Sequence, residues 1–271
     1  MSNRSVRNTG VIFWRMLRDS RNAILAWGIG VALISFFIVL LYPQMSQFEQ
    51  YQQLLETDWA RIFIGEGIDF ATPEGFFSMY VLVFSPLYLS PYLVILGLSI
   101  TAGEEERGTA DILFSAPVPR WRVVTEKVLS GLVILALITL IIFAGSVAGI
   151  VITPEFELSL GSLLQGMVGM WLVMIFMTVM SLLFATLLRS RNMAGGVAGA
   201  VIAASYLLTN LSALAQDALR NIKYASFYTY YNPNRLMLDG LDVANVTVLV
   251  VAILVLFGGA LLAFQRRDLA V

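Results

Sequence analysis

The 271-residue sequence contains neither cysteine nor histidine. Without cysteine there is no disulfide framework and no thiolate chemistry. Without either residue the usual zinc sites and the Ser–His and Cys–His nucleophile pairs cannot be assembled, so neither a metal nor a catalytic residue is expected. Charge is scarce as well. Asp, Glu, Lys and Arg make up 13% of the chain against 58% hydrophobic residues, whereas a soluble domain is about a quarter charged. A net charge of −1, with no basic cluster away from the flanks of the apolar runs, argues against a nucleic-acid partner. No Gly-rich phosphate loop followed by Lys and Ser or Thr occurs, so the chain cannot bind ATP in the usual way and no cofactor is expected in it.

What the sequence has instead is long apolar runs. A hydrocarbon core of about 30 Å is crossed by roughly 20 residues of helix, because lipid offers the backbone no hydrogen-bond partner. Six runs fit, at about 24–42, 78–102, 128–152, 161–188, 193–212 and 243–264, and none contains Asp, Glu, Lys or Arg. The fold class expected is an all-α integral membrane protein with six transmembrane helices. No stretch is left for a soluble domain, so residues 1–271 read as a single transmembrane domain. The first run passes into Tyr42, Pro43 and Gln44 instead of the small residues of a cleavage site, so it is expected to be retained.

The flanking charges are lopsided. Thirteen of the 17 basic residues lie in the N-terminal segment, the loop 103–127, the turn 189–192 and the tail from 265. Only Arg61, Arg220, Lys223 and Arg235 lie in the other three loops, which carry 11 of the 18 acids. Basic segments resist translocation, so both termini are expected to be cytoplasmic. Ahead of the first run, residues 4–21 wound at about 100° per residue place Arg4, Arg7, Arg15, Arg18 and Arg21 on one side. Val6, Ile12, Phe13, Met16 and Leu17 fall opposite, and Val11 and Trp14 break the pattern. This predicts an amphipathic interfacial helix whose arginines meet anionic lipid headgroups, the alternative being a merely basic orientation tail. Tyr224, Phe227, Tyr228, Tyr230 and Tyr231 suit the outer interface, as anchors or as the lining of a substrate exit.

The densest charge lies in the loop Ala102 to Lys127, AGEEERGTADILFSAPVPRWRVVTEK. Glu104, Glu105 and Glu106 lead into Arg107, Gly108 and Thr109. A short amphipathic run through Ile112, Leu113 and Phe114 follows, and Pro117 and Pro119 end it. Acids and Arg at one end of an apolar knob suit docking to a soluble partner, with the apolar anchors giving affinity and the charges giving register. The same composition also fits a solvated loop lying on headgroups.

This loop resembles the signature of the ABC-2 type transporter permeases, the membrane subunits of type V ABC exporters. The resemblance is carried by Glu104, Glu106, Arg107, Gly108, Thr109, Pro117, Val118, Arg120 and Lys127, while Glu105 stands where the family often has a basic residue. The tail Arg266, Arg267, Asp268 and Leu269 also looks like that family's ending. The resemblance implies a cytoplasmic coupling helix between spans 2 and 3. It seats Glu104, Glu105, Glu106, Arg107, Gly108, Thr109, Ile112, Leu113, Phe114 and Arg120 against a separate ATP-binding subunit, which holds the ATP and Mg. It further implies a second permease subunit, with a homodimer favoured, no catalysis in this chain, and a place in a prokaryotic cytoplasmic membrane.

Within the runs, Gly145 and Gly149, and Gly195, Gly199 and Ala203, recur at every fourth position, which allows close helix approach inside one subunit or across a dimer. Met167, Met170, Met174 and Met177, continued by Ser181, form one stripe, either core or an adaptable surface on a translocation pathway. Pro86 and Pro91 predict a kink or irregular turn just before the charged loop. An autonomous six-helix channel or secondary transporter is the alternative function. It usually needs an intramembrane acid or base, and the runs have none.

Overall fold

The computed structural model describes residues 10–45, 72–101, 119–188, 190–214 and 220–266, with backbone alone for 120, 212–214 and 220. Sequence readings that fall on residues 4–9, 102–118 or 267–269 lie outside these residues. The elements in chain order are α1 (Val11–Asp19), α2 (Arg21–Met45), α3 (Pro73–Ser99), α4 (Arg120–Ile152), α5 (Leu160–Leu187), α6 (Arg191–Leu214), α7 (Phe227–Tyr231), α8 (Pro233–Leu238) and α9 (Val243–Arg266). A 3-10 segment, Arg220–Ala225, precedes α7. Among the described residues there is no strand, and six helices, α2 to α6 and α9, are long and apolar enough to cross a membrane.

The observed helices extend past the apolar runs wherever a polar turn can continue the backbone ladder. α4 is the largest case. It begins at Arg120, after Pro119 in an extended conformation (ψ 135°), and carries Arg122, Glu126 and Lys127 before the run expected from residue 128. Hydropathy locates the edge of the hydrocarbon, not the end of helical hydrogen bonding.

α3 departs from regularity at the end opposite to the one expected. Thr72 caps it, its Oγ1 accepting from the Gly75 amide at 3.2 Å, and Pro73 occupies the first turn. Ser78–Val83 then winds as a π-helix before regular helix resumes at Phe84 and continues through Pro91. The wide turns lie immediately ahead of Pro86, whose ring crowds the carbonyl four residues back, that of Leu82, and whose missing amide cannot bond it. At Pro91 the corresponding carbonyl, Leu87, accepts from the Ser90 hydroxyl at 2.8 Å, so the helix passes the proline without a break.

α5 is the central helix, packed by α3, α4, α6, α8 and α9. α2 lies along α4, and three glycines bring the pair together. A Cβ on Gly145 would sit 2.7 Å from the Ala32 carbonyl oxygen, one on Gly28 would meet Ile141, and one on Gly149 would meet Val39. Ser35 and Ser146 hydrogen-bond across the same seam at 2.7 Å. The small residues of α4 therefore serve packing within the chain. On α6, by contrast, Gly195 touches Leu98 while Gly196 and Gly199 face open space.

Each end of the bundle has its own apolar lock. Ile100 beyond α3, Val124 of α4, Leu182 of α5 and Ala260 and Phe264 of α9 form a small core on the side of the chain termini, with Met16 of α1 against it. At the other end Tyr42, Phe76, Tyr80 and Phe156 make edge-to-face or tilted contacts, with ring centroids 4.7 to 5.1 Å apart between Tyr42 and Phe76, Tyr42 and Phe156, and Phe76 and Tyr80.

α1 is amphipathic, and its apolar side packs partly on protein. Ile12, Phe13, Met16 and Leu17 are half-buried against α4, whose Ser130 hydroxyl donates to the Glu126 carbonyl of its own helix at 2.8 Å and lies 3.3 Å from the Phe13 carbonyl. Val11 and Trp14 stand on the exposed side with Arg15 and Arg18.

Candidate functional site

The two ends of the charged loop are brought together by the fold. α3 ends at Ser99 and α4 starts at Arg120, and Lys127, about two turns into α4, donates from Nζ to the Ile100 carbonyl at 3.0 Å. Lys127 is only 7% exposed. One turn earlier, Arg122 Nε donates to Glu126 Oε1 at 3.1 Å. Of the proposed coupling residues, Glu104, Glu105, Glu106, Arg107, Gly108, Thr109, Ile112, Leu113 and Phe114 lie outside the described residues, and Arg120 is the first residue of α4.

The methionine stripe is placed in the middle of the bundle. Met167 is 2% exposed, and Met170, Met174, Met177 and Ser181 are fully buried. Ser181 donates to the Met177 carbonyl at 2.7 Å and packs against Gly97 of α3, where a Cβ would lie 2.7 Å from that of Ser181. In this conformation these side chains are the core of one chain.

The aromatic stretch after α6 is divided between two surroundings. Tyr224 is exposed as an interfacial residue would be, whereas Phe227, Tyr228 and Tyr231 are buried because the chain folds back onto the bundle. α7 and α8 form a tight hairpin through Asn232, which has φ 28° and whose side chain accepts from the Arg235 amide at 3.4 Å to cap α8. Ser226 caps α7, and its hydroxyl donates to the Ser205 carbonyl of α6 at 2.6 Å. Thr209 of α6 hydrogen-bonds both Ser226 (2.7 Å) and Thr229 (3.0 Å). α8 presses Leu236 and Met237 onto α5 at Gly169 and Gly166, where larger residues would not fit.

The hairpin is also joined to the π-segment of α3. The Tyr231 hydroxyl donates to the Leu82 carbonyl at 2.9 Å, and the Ser78 hydroxyl donates to the Asn234 side-chain oxygen. Leu82 is the residue whose helical donor Pro86 removes, so the tyrosine supplies what the proline took away. Burial, and after it the neighbouring Tyr228, holds the Tyr231 hydroxyl well above the ordinary tyrosine range, so it remains a donor.

Hydropathy reasoning missed the hairpin because α7 and α8 are each too short to show a period. Its signals were local: Ser226 ahead of a helix, then Asn232 and Pro233 as turn, cap and first-turn residue.

Over residues 11–269 the sequence matches the ABC-2 family transporter protein. The chain belongs to the ABC-2 transporter family. No curated protein and no solved structure gives a significant match. As an ABC-2 protein it is the membrane-spanning permease component of an ABC transporter, a multi-pass membrane protein in a family that implies an ATP-binding partner. The match takes in α1 and all six spans, and not the charged loop alone.

Proposed function

We propose that this permease is one half of the translocation pathway of an ATP-driven exporter in a prokaryotic cytoplasmic membrane, with both termini cytoplasmic and the loop 102–118 docked on a separate ATP-binding subunit. The observation that carries the proposal is the family match over six spans together with the charge pattern. The segments on the side of the termini hold 13 of the 17 basic residues, and the acid cluster Glu104–Glu106 lies among them. ATP and Mg belong to the partner, and this chain contributes no catalysis.

A second copy of the chain supplies the other half. The support is the outward face of α6, where Gly196, Gly199, Ala200, Ala203 and Ala204 leave a shallow surface that no described element covers. In this reading Met167, Met170, Met174, Met177 and Ser181 contact cargo only after α8 withdraws from Gly166 and Gly169. The absence of charged residues from the apolar runs suits amphipathic or apolar cargo.

The test is purification of the tagged permease from its native host in mild detergent, with and without Glu104→Ala plus Glu106→Ala. Recovery of a nucleotide-binding subunit that the double variant loses is the expected outcome. Absence of such a subunit in several detergents, with flux persisting in vesicles of the permease alone, would move the assignment to an autonomous channel or carrier.

A further inference from the structure

We propose that Lys127 is a positioning residue that clamps the end of α3 to the start of α4, so that the two ends of the charged loop move as one body. The inference rests on the coupling role proposed for that loop and adds the residue that would make the coupling rigid.

The argument starts from what burying an ammonium requires. Lysine has three N–H donors and no acceptor, and at a helix end near hydrocarbon it is retained only where carbonyls or acids receive them. Lys127 is 7% exposed and donates to Ile100 across 27 residues of sequence. Ile100 is the C-cap of α3, where the last carbonyls lack helical donors and the helix dipole is negative. A cation suits that end, and a Met of similar length would fill the space without joining the helices.

The surroundings make the joint more than a single bond. Ile100 and Val124, which flank the clamp, belong to one small core with Leu182 of α5 and Ala260 and Phe264 of α9. Met16 of α1 packs against the same core. A force on either end of the loop is therefore delivered to α1, α3, α4, α5 and α9 together, instead of tilting α3 alone.

Hydrogen–deuterium exchange of the purified full-length permease, followed in peptides covering the last turn of α3 and the first turns of α4, tests the clamp directly. Lys127→Met is expected to speed exchange at the last turn of α3 about tenfold or more, with Lys127→Arg retaining protection. Lys127→Gln, shorter and uncharged, carries the same expectation if the Met variant fails to fold. Unchanged exchange in a folded Met or Gln variant overturns the proposal.

The coupling consequence is read in the complex with the co-purified ATP-binding subunit. Lys127→Met should leave assembly and basal ATP hydrolysis intact while lowering permease-dependent stimulation several-fold, and Lys127→Arg should restore it. Stimulation unchanged despite faster exchange overturns the coupling part of the inference. Failure of any ATP-binding subunit to co-purify with the unaltered permease would sink the underlying reading, and the exchange result would still decide the clamp.

Discussion

The bond between Tyr231 and Leu82 permits a test in which one substitution should cancel the cost of another. Tyr231 is 1% exposed, and its hydroxyl is 2.9 Å from a carbonyl that has lost its helical donor to Pro86. Tyr231→Phe removes the donor and leaves a buried carbonyl without its partner, which costs about 1–3 kcal/mol. Pro86→Ala returns an amide hydrogen at the position that an α-helix uses to bond Leu82. In that background Tyr231→Phe should cost less than about 1 kcal/mol, so the two sites are coupled by roughly 1 kcal/mol or more. The four proteins (parent, two singles and the double) would be unfolded reversibly in mixed micelles by denaturing detergent, with helix content and tyrosine fluorescence followed together. A Tyr231→Phe cost that is the same in both backgrounds to within about 0.5 kcal/mol would refute the reasoning, because the proline and the tyrosine would then not share one acceptor.

At the α2–α4 seam, Gly145→Ala should destabilise by about 1–3 kcal/mol, since its methyl must displace the Ala32 backbone. Gly131→Ala, with nothing within 4 Å, should be neutral or stabilise by up to about 1 kcal/mol, and detergent unfolding of both checks the contrast. A double-mutant cycle of Ser35→Ala and Ser146→Ala should return about 0.6 kcal/mol and not more than about 1.7, measured the same way. Gly169→Val should push Leu236 away from α5 and speed amide exchange across 227–238 about tenfold or more, while Gly161→Val, near only the Ser159 hydroxyl, should not.

Much of this architecture was legible in the sequence because membrane helices announce themselves by a single property. Six apolar runs became six long helices, and the amphipathic pattern at Ile12, Phe13, Met16 and Leu17 became the packed face of α1. What hydropathy could not say was what each apolar face meets, since lipid and a neighbouring helix are equally apolar. For that reason the pattern could not say that the face of α1 packs partly on α4, and it left the methionine stripe open between core and pathway. The prolines of α3 were recognised as a source of irregularity, but its position depended on a partner 149 residues away in sequence. Lys127 was visible only as a motif residue and a basic flank. Its burial depends on the close approach of two helix ends, which no local pattern encodes.

The unequal burial of the six spans has a consequence for how the permease tolerates change. In α5 nearly every turn carries side chains with little or no exposure, so even isosteric replacements must satisfy several neighbours at once. Along α9, Val243, Val248, Val251, Leu254, Val255 and Leu262 are all exposed, and only Leu249, Ala260 and Phe264 are buried. A saturation library would therefore be expected to accept almost any apolar residue along most of α9, reject them along α5, and show in α9 a sparse set of restricted positions at the three buried residues.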